Sequence, residues 1–479
     1  MRRCVGRPRR AVQTLFVVAL GGLVVGSSAA QEPTQVPGFL TLADAVAIAL
    51  DGSTRLGIQS AQLDQARAAR INAIFNLGPD LSGSFTTSRS TRTDFDLERG
   101  RLISFTPDSI RTEGSRFIPV AFDEMVEPFT IDQDETSRFT QYQLSSNIRL
   151  FDGLANYYNI AASGDDVESD ELDLLYLETV VQTNVIEAYY NLLRAKLLLN
   201  VSTEAVDVAR EQLERTQALY DLGSAARSDV LKSQVQLGQT RLELVQRRNG
   251  ERQSRDRLIY SMNLFRSTPF AIDTTIAEIP SIQVDFEAEV QYAIANRLDI
   301  HALRKTEDAE GKRVVVARGP LFPTLDFGYR VTWTDQESQF RFGAQQNLNR
   351  SWFFASNWAI FDRYRTWTNV TQQKARKRIA EYNRRQAELD AMQEIRDFVN
   401  QLQEAQERLV VARENVVRSE EDLRLAQEKF RVGAGTILDT ITAESDLTST
   451  KAAEVEAIVD FLIARAKLFR ATGRPFSQL

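Results

Sequence analysis

Cysteine is all but missing from this sequence: the one residue, Cys4, falls within the first thirty positions. Beyond it no disulfide, no thiolate metal site and no lipid-modified N-terminal cysteine can form. Histidine is equally scarce. The single His301 excludes an imidazole-pair zinc site, and its place on a predicted helix beside Arg304 and Lys305 reads as solvated surface rather than a catalytic base. Long apolar runs are lacking once residues 1–30 are set aside. That excludes a transmembrane helix but leaves room for β-barrel strands, whose pattern is far weaker. A phosphate loop is absent too, because "GAG" at 433–435 has neither the lysine nor the flanking strand of one. Positive charge is in deficit. The chain carries −7, and its first thirty residues hold five arginines and no acid, so the rest carries −12. Such a balance argues against nucleic acid as a partner. Most acids are i,i+4 neighbours of Arg or Lys on helical faces, the pattern of a solvated surface. No catalytic residue, cofactor or metal site is expected.

What is present begins with a leader. Arg2, Arg3, Arg7, Arg9 and Arg10 precede an apolar run from Leu15 to Val25 and then Ser28-Ala29-Ala30, which predicts a secretory signal over 1–30, cut before Gln31. The run is shorter than a membrane anchor requires. Export without disulfides suits a bacterial envelope protein.

The body of the chain is a duplication. "YDLGSAARSDVL" at 220–231 and "FRVGAGTILDTI" at 430–441 stand 210 residues apart, and the same shift lays Phe151-Asp152 on Phe361-Asp362 and Leu213 on Leu423. Further upstream a shift of 244 lays Val46 on Val290 and Pro79-Asp80-Leu81 on Pro323-Thr324-Leu325. The first copy therefore carries 34 extra residues between Phe85 and Phe151. The copies span 31–264 and 286–479, joined by a segment at 265–285 that Pro269 and Pro280 interrupt and that is expected to lie against the outside of the helices.

Helical periodicity dominates each copy. Leu402, Ala405, Leu409, Ala412, Val416, Ser419, Leu423, Ala426 and Phe430 form a heptad seam, mirrored by Leu192 to Tyr220 in the first copy. Pattern and breakers predict helices near 41–76, 156–221, 228–263, 287–317, 364–431 and 437–471. The two longest would each reach about 100 Å, enough for two shorter ones to stack end to end beside them. Gly223 and Gly433 suit the left-handed residue that ends a helix. Ser228 and Thr436 are the expected N-caps of the returning helices, with Asp229 and Asp439 in their first turns.

Strand pairs are predicted near 79–95 and 138–151, and near 323–335 and 350–361. Leu325, Phe327, Tyr329, Val331 and Trp333 alternate on one face, and Trp352, Phe354, Trp358 and Ile360 continue the pattern on the partner strand. Leu81, Phe85, Tyr142, Leu144, Ile148 and Leu150 give a weaker version in the first copy. Period two with aromatics fits membrane strands, with Phe327, Tyr329, Trp333, Trp352 and Trp358 facing lipid. Four strands cannot close a barrel, and an open sheet edge is not tolerated in lipid, so several chains must contribute. The insertion, 86–137, reads as an extracellular loop at the tip of the first hairpin.

These features resemble the TolC-like outer-membrane efflux proteins. The resemblance rests on the signal, the duplication, "LTLADAVAIAL", "GPDLSGSF" and "FPTLDFGY" leading into strands, "FDG" and "FDR" leaving them, and the two turns, over roughly 40–475. It implies a mostly α fold with transmembrane β: a homotrimer with a twelve-stranded barrel in outer-membrane lipid, continued by a helical barrel across the periplasm. Its partners would be a periplasmic adaptor (membrane fusion protein) and an inner-membrane pump, in tripartite efflux or type I secretion. Gly223, Ser228, Asp229, Phe430, Gly433, Gly435 and Asp439 would then form the periplasmic aperture and adaptor contact. Asp439 matches an aperture aspartate of the family, whereas Thr442 stands where a second acid occurs, Gly435 replaces a gate-bridging arginine and Phe430 a gate tyrosine. A less tightly latched gate is the expectation. The alternative is a soluble periplasmic coiled-coil adaptor or scaffold without a pore.

Overall fold

The computed structural model describes residues 38–93, 134–264, 270–275, 283–335 and 348–476. The leader, most of the 86–137 insertion and much of the joining segment lie outside them. Two helices of 67 residues, α3 (Ala155–Asp221) and α7 (Arg365–Arg431), set the scale of the molecule. At 1.5 Å per residue each is about 100 Å long. Each turns back into a helix of about half that length, α4 (Arg227–Ser261) after α3 and α8 (Ile437–Thr472) after α7.

The remaining helices are shorter than the sequence pattern suggested. Instead of one helix over 41–76 there are α1 (Leu42–Gly52) and α2 (Thr54–Phe75), broken at Ser53. Instead of one over 287–317 there are α5 (Phe286–Asn296) and α6 (Leu298–Arg318), broken at Arg297. Ser53 and Arg297 occupy equivalent places in the two copies, and both have extended backbone, with ψ of 111° and 124°. Each break has a local cause. The Ser53 hydroxyl accepts the Leu56 N–H at 3.4 Å as the cap of α2. Arg297 is buried and donates to Asp299 and Glu394, both at 2.8 Å, and to the Ala471 carbonyl at 3.1 Å, contacts an uninterrupted helix would not reach.

In the half near the turns the helices lie side by side as α4, α3, α8, α7; in the other half the order is α2, α3, α6, α7. The predicted seams are the packed faces. Leu402, Ala405 and Leu409 are buried on α7, as are Leu192, Val206 and Ala209 on α3. Two larger cores sit where the orders change over. One gathers Leu40, Ala49, Tyr189, Leu192, Leu258 and Met262; the other gathers Ala293, Ile395, Leu402, Phe461 and Leu468. Strand β1 (Phe39–Leu40) pairs in parallel with β4 (Ala271–Ile272), which brings Phe270 and Ile272 of the joining segment onto the first core.

At the far end stands an antiparallel sheet of β2 (Asp80–Thr93), β3 (Asp134–Phe151), β5 (Thr324–Asp335) and β6 (Leu348–Asn357), in the order β2-β3-β5-β6. The two copies meet at β3 and β5, which leaves β2 and β6 as edges. "FDG" and "FDR" both lead into helices, but only "FDG" begins at a strand end, because β6 stops at Asn357. Asp152 accepts the Asn156 N–H at 2.9 Å, and Asp362 accepts the Thr366 N–H at 2.6 Å. Between strand and helix the backbone takes two left-handed residues, Gly153 and Leu154 in the first copy and Arg363 and Tyr364 in the second. Gly153 is obligatory, because a Cβ there would meet the Gly319 carbonyl at 2.6 Å.

Candidate functional site

The sheet register sorts its side chains cleanly. Residues paired across an antiparallel ladder share a face, and Tyr142↔Trp333, Leu144↔Val331, Ile148↔Phe327, Phe327↔Phe354 and Tyr329↔Trp352 are all such pairs. With Leu81 and Phe85 from β2 they make one continuous apolar face. Phe85 and Tyr142 stack on it with ring centroids 5.0 Å apart. The other face is polar: Ser82 bonds Ser145 at 2.8 Å, and Arg149 bonds Asp326 at 3.0 Å. Phe139 and Phe353 are large exceptions to it, and the Phe353 ring covers Gly328 at the place a Cβ would take.

Phe327, Tyr329, Trp333 and Trp352 thus lie on the apolar face together, with Trp352 75% exposed. Trp358 departs from expectation, since β6 ends at Asn357. Its indole N–H instead donates to the Leu321 carbonyl at 3.1 Å, tying the strand's exit to the turn that leads into β5. Leu150 likewise falls in a bulge between Arg149 and Phe151 and drops out of the alternation.

The other predicted site is the pair of turns at the opposite end. Gly223 and Gly433 have φ of 75° and 74°. In each turn the glycine N–H returns to the carbonyl three residues back, Tyr220 or Phe430, and the next N–H reaches Leu219 or Lys429 at 2.8 and 2.9 Å. This double bond satisfies the helix's last carbonyls. Gly435 lies against Lys429, whose Cβ a new side chain would meet at 3.0 Å.

The returning helices begin differently from one another. Thr436 caps α8 with a full capping box, its hydroxyl accepting the Asp439 N–H at 3.3 Å while Asp439 accepts the Thr436 N–H at 2.8 Å. Those bonds hold the Asp439 carboxyl below its usual pKa, the backbone bond from Thr436 first among them. Ser228 does not cap α4. The helix starts at Arg227 with Ala226 at the cap and no side-chain bond there; Ser228 points to Asp229, 3.5 Å away, and Asp229 sits 3.7 Å from Lys232. Alanine offers no acceptor, so the first turn of α4 lacks the box that α8 has. Phe430 is half-buried. The sequence reading passed over Leu222 and Val432, which stand just before the two glycines and are 79% and 69% exposed. Their signal was the apolar residue repeated in "DLG" and "RVG".

Among the described residues no group of acids, histidines and cysteines is placed to hold a metal ion, and no helix is long and apolar enough to cross a membrane.

Residues 46–263 and 290–474 match the family described as Outer membrane efflux protein. No curated protein matches by sequence. Among solved structures the chain is similar to the outer-membrane channel OprN, at 21% identity and a TM-score of 0.72 over 91% of this chain and 90% of that one. It is similar to VceC of Vibrio cholerae, at 17% identity and a TM-score of 0.71 over 91% and 96%. It is similar also to MtrE of Neisseria gonorrhoeae, an outer membrane channel solved in its open state, at 16% identity and a TM-score of 0.70 over 90% and 89%.

Proposed function

The chain belongs to the outer membrane efflux protein family, and from that premise we propose that three copies close into an exit duct through the outer membrane and the periplasm. The observation that carries this reading is the sheet. It has one apolar face, one polar face and two unpaired edges, β2 and β6. In lipid each exposed edge leaves a row of unsatisfied backbone groups, each costing several kcal/mol. Pairing β6 of one copy with β2 of the next removes every edge at once, and three copies give twelve strands. The polar face then lines a water-filled lumen, and the helices continue the wall below it.

Residues 1–30 act as a cleaved secretory signal. The glycine turns form the periplasmic tip, where Leu222 and Val432 offer apolar contacts to an adaptor that links the duct to an inner-membrane pump. The duct contributes no catalysis. A soluble scaffold would leave the apolar strand face without a purpose. The test is the purified protein in detergent: a trimer that conducts ions in planar bilayers is expected, and a well-folded, water-soluble monomer would overturn the reading.

A further inference from the structure

The groove between α6 and α7, just below the sheet, is built unlike its counterpart in the first copy. It has a volume of ≈ 690 Å³ and a floor of Gly311, Val314 and Val315. Along its rim stand Arg318, Lys374, Lys377 and Arg378 with one acid, Glu381. The four cations are exposed, and none has an ion-pair partner among the described residues. Farther from the sheet the same two helices are bridged by Arg384 to Glu307 at 2.7 Å and by Arg304 to Glu388 at 3.7 Å. In the first copy the matching groove, between α2 and α3, is filled by its own side chains. Arg67, in the place of Gly311, pairs with Glu171, in the place of Glu381, at 2.9 Å. Arg70, in the place of Val314, lies over Gly164, in the place of Lys374, with its Nε 3.9 Å from where a Cβ would be. The two copies thus differ: one groove is filled, and the other is open and ringed with positive charge in a chain that is acidic overall.

The occupant follows from position and chemistry. Trp367, Thr371, Lys374 and Arg378 are spaced by four and three, so they share one face of α7, and Tyr364 stands at its cap. Tyr364 and Trp367 are 69% and 66% exposed and continue the exposed apolar rim of Ile360 and Phe361. Large aromatics at such a rim sit at headgroup level. Lys374 lies about 10 Å farther along the helix, and side chains on α7 lean toward its N-terminus, which is the membrane side. Long basic side chains reach toward an interface in this way.

We propose that this groove holds an anionic phospholipid of the periplasm-facing leaflet, its phosphate among Lys374, Lys377 and Arg378 and its first methylenes on Val314 and Val315. The inference rests on the duct reading, which places the sheet in the bilayer.

The experiment is native mass spectrometry of the detergent-solubilised protein titrated with phosphatidylglycerol or phosphatidylethanolamine. The wild type retains the anionic lipid preferentially, about one per protomer. The variant Lys374→Gln/Lys377→Gln/Arg378→Gln loses about a hundredfold in that affinity. Gly311→Arg weakens it as well, although it adds a positive charge, because it restores beside Glu381 the arginine that fills the first groove. Equal retention of both lipids, or unchanged retention in either variant, overturns the proposal. So does displacement by glycerol phosphate at the same concentration as the lipid, which would mark an ion site and not a lipid site. Conductance of the same preparations separates the two readings: conducting trimers with unaltered lipid binding defeat only this inference, whereas non-conducting monomers defeat the duct itself.

Discussion

Glu444 is 6% exposed between the two helical hairpins, and its Oε1 has no hydrogen-bond partner. Burial raises its pKa from 4.5 to about 7, against the opposing pull of Arg215 on α3. The cavity beside it is lined by neutral Gln236 and Thr240 of α4 and by Glu204 and Lys451, which pair with each other at 2.8 Å. The sign follows from the direction of the shift. A carboxyl whose folded pKa is raised favours the native state fully below about pH 4.5, and that contribution is lost as pH rises through 7. Wild-type protein should therefore be less stable at pH 8 than at pH 5. Glu444→Gln should remove a difference on the order of 3 kcal/mol. Denaturant unfolding followed by circular dichroism at the two pH values reads it, and a wild type equally stable at both would contradict the account. A second residue is strained in the opposite sense of composition. Arg363 holds a φ of 59° where its counterpart is Gly153, so Arg363→Gly should stabilise the chain by about 1 kcal/mol, seen as a raised melting temperature. At this scale the sequence was partly legible. Gly223 and Gly433 could be read because a positive φ selects glycine. Ser228 could not, although the 210-residue shift pairs the true cap Thr436 with Ala226 and not with Ser228. Glu444 looks in the sequence like any solvated helical acid.

At the scale of elements, the breaks in α1–α2 and α5–α6 show what periodicity hides. Apolar residues keep helical spacing across Ser53 and Arg297, so the pattern predicts one helix where a polar side chain has pulled out a single residue. Arg297 ties α6 to α7 through Glu394, which Arg470 of α8 also grips, and to the end of α8 through the Ala471 carbonyl. Arg297→Met should cost about 3 kcal/mol, because it removes a buried guanidinium, leaves half-buried Asp299 without its partner and leaves Glu394 to Arg470 alone. Ser53→Ala, which removes only a cap, should cost about 1 kcal/mol. Chemical denaturation of the two variants in detergent tests the ranking, and equal losses would mean that Arg297 is no more than a cap. The strands were more legible than the short helices. Alternation survives wherever one face is apolar, and it failed at Leu150, in a bulge, and at Trp358 and Ile360, beyond the end of β6.

At the scale of the whole molecule the duplication was legible, because the two turns stand 210 residues apart with the same spacing, whereas the strand order that leaves β2 and β6 as edges was not, since it depends on how the two copies meet. In the proposed duct the turns form the periplasmic end, and the ion pairs near them bear on how firmly it shuts. Near the turns the ion pairs of α7, Arg424 with Glu421 and Arg431 with Glu428, both at 2.7 Å, lie within that single helix. The nearest ion pair joining the two hairpins among the described residues, Lys451 with Glu204, lies a dozen residues farther along α8 than Asp439. Gly435 and Thr442 supply no charge to replace one. If the chain forms the duct proposed above, a tip with no ion pair between its two hairpins has a low barrier to splaying, and the proposed trimer should open spontaneously in planar bilayers at low voltage. A closed state that stays silent until driven hard would contradict this. Asp439 remains available at the same tip as a charge. Its bonds to Thr436 are made within one turn of its own helix, and they keep it ionised well below neutral pH. Three copies converging on the axis would make a ring that divalent cations can plug. Asp439→Asn should weaken that block by at least tenfold while leaving the conductance of the open duct nearly unchanged. If block is insensitive to the substitution, the carboxylates face away from the axis and serve α8 only as half of its capping box.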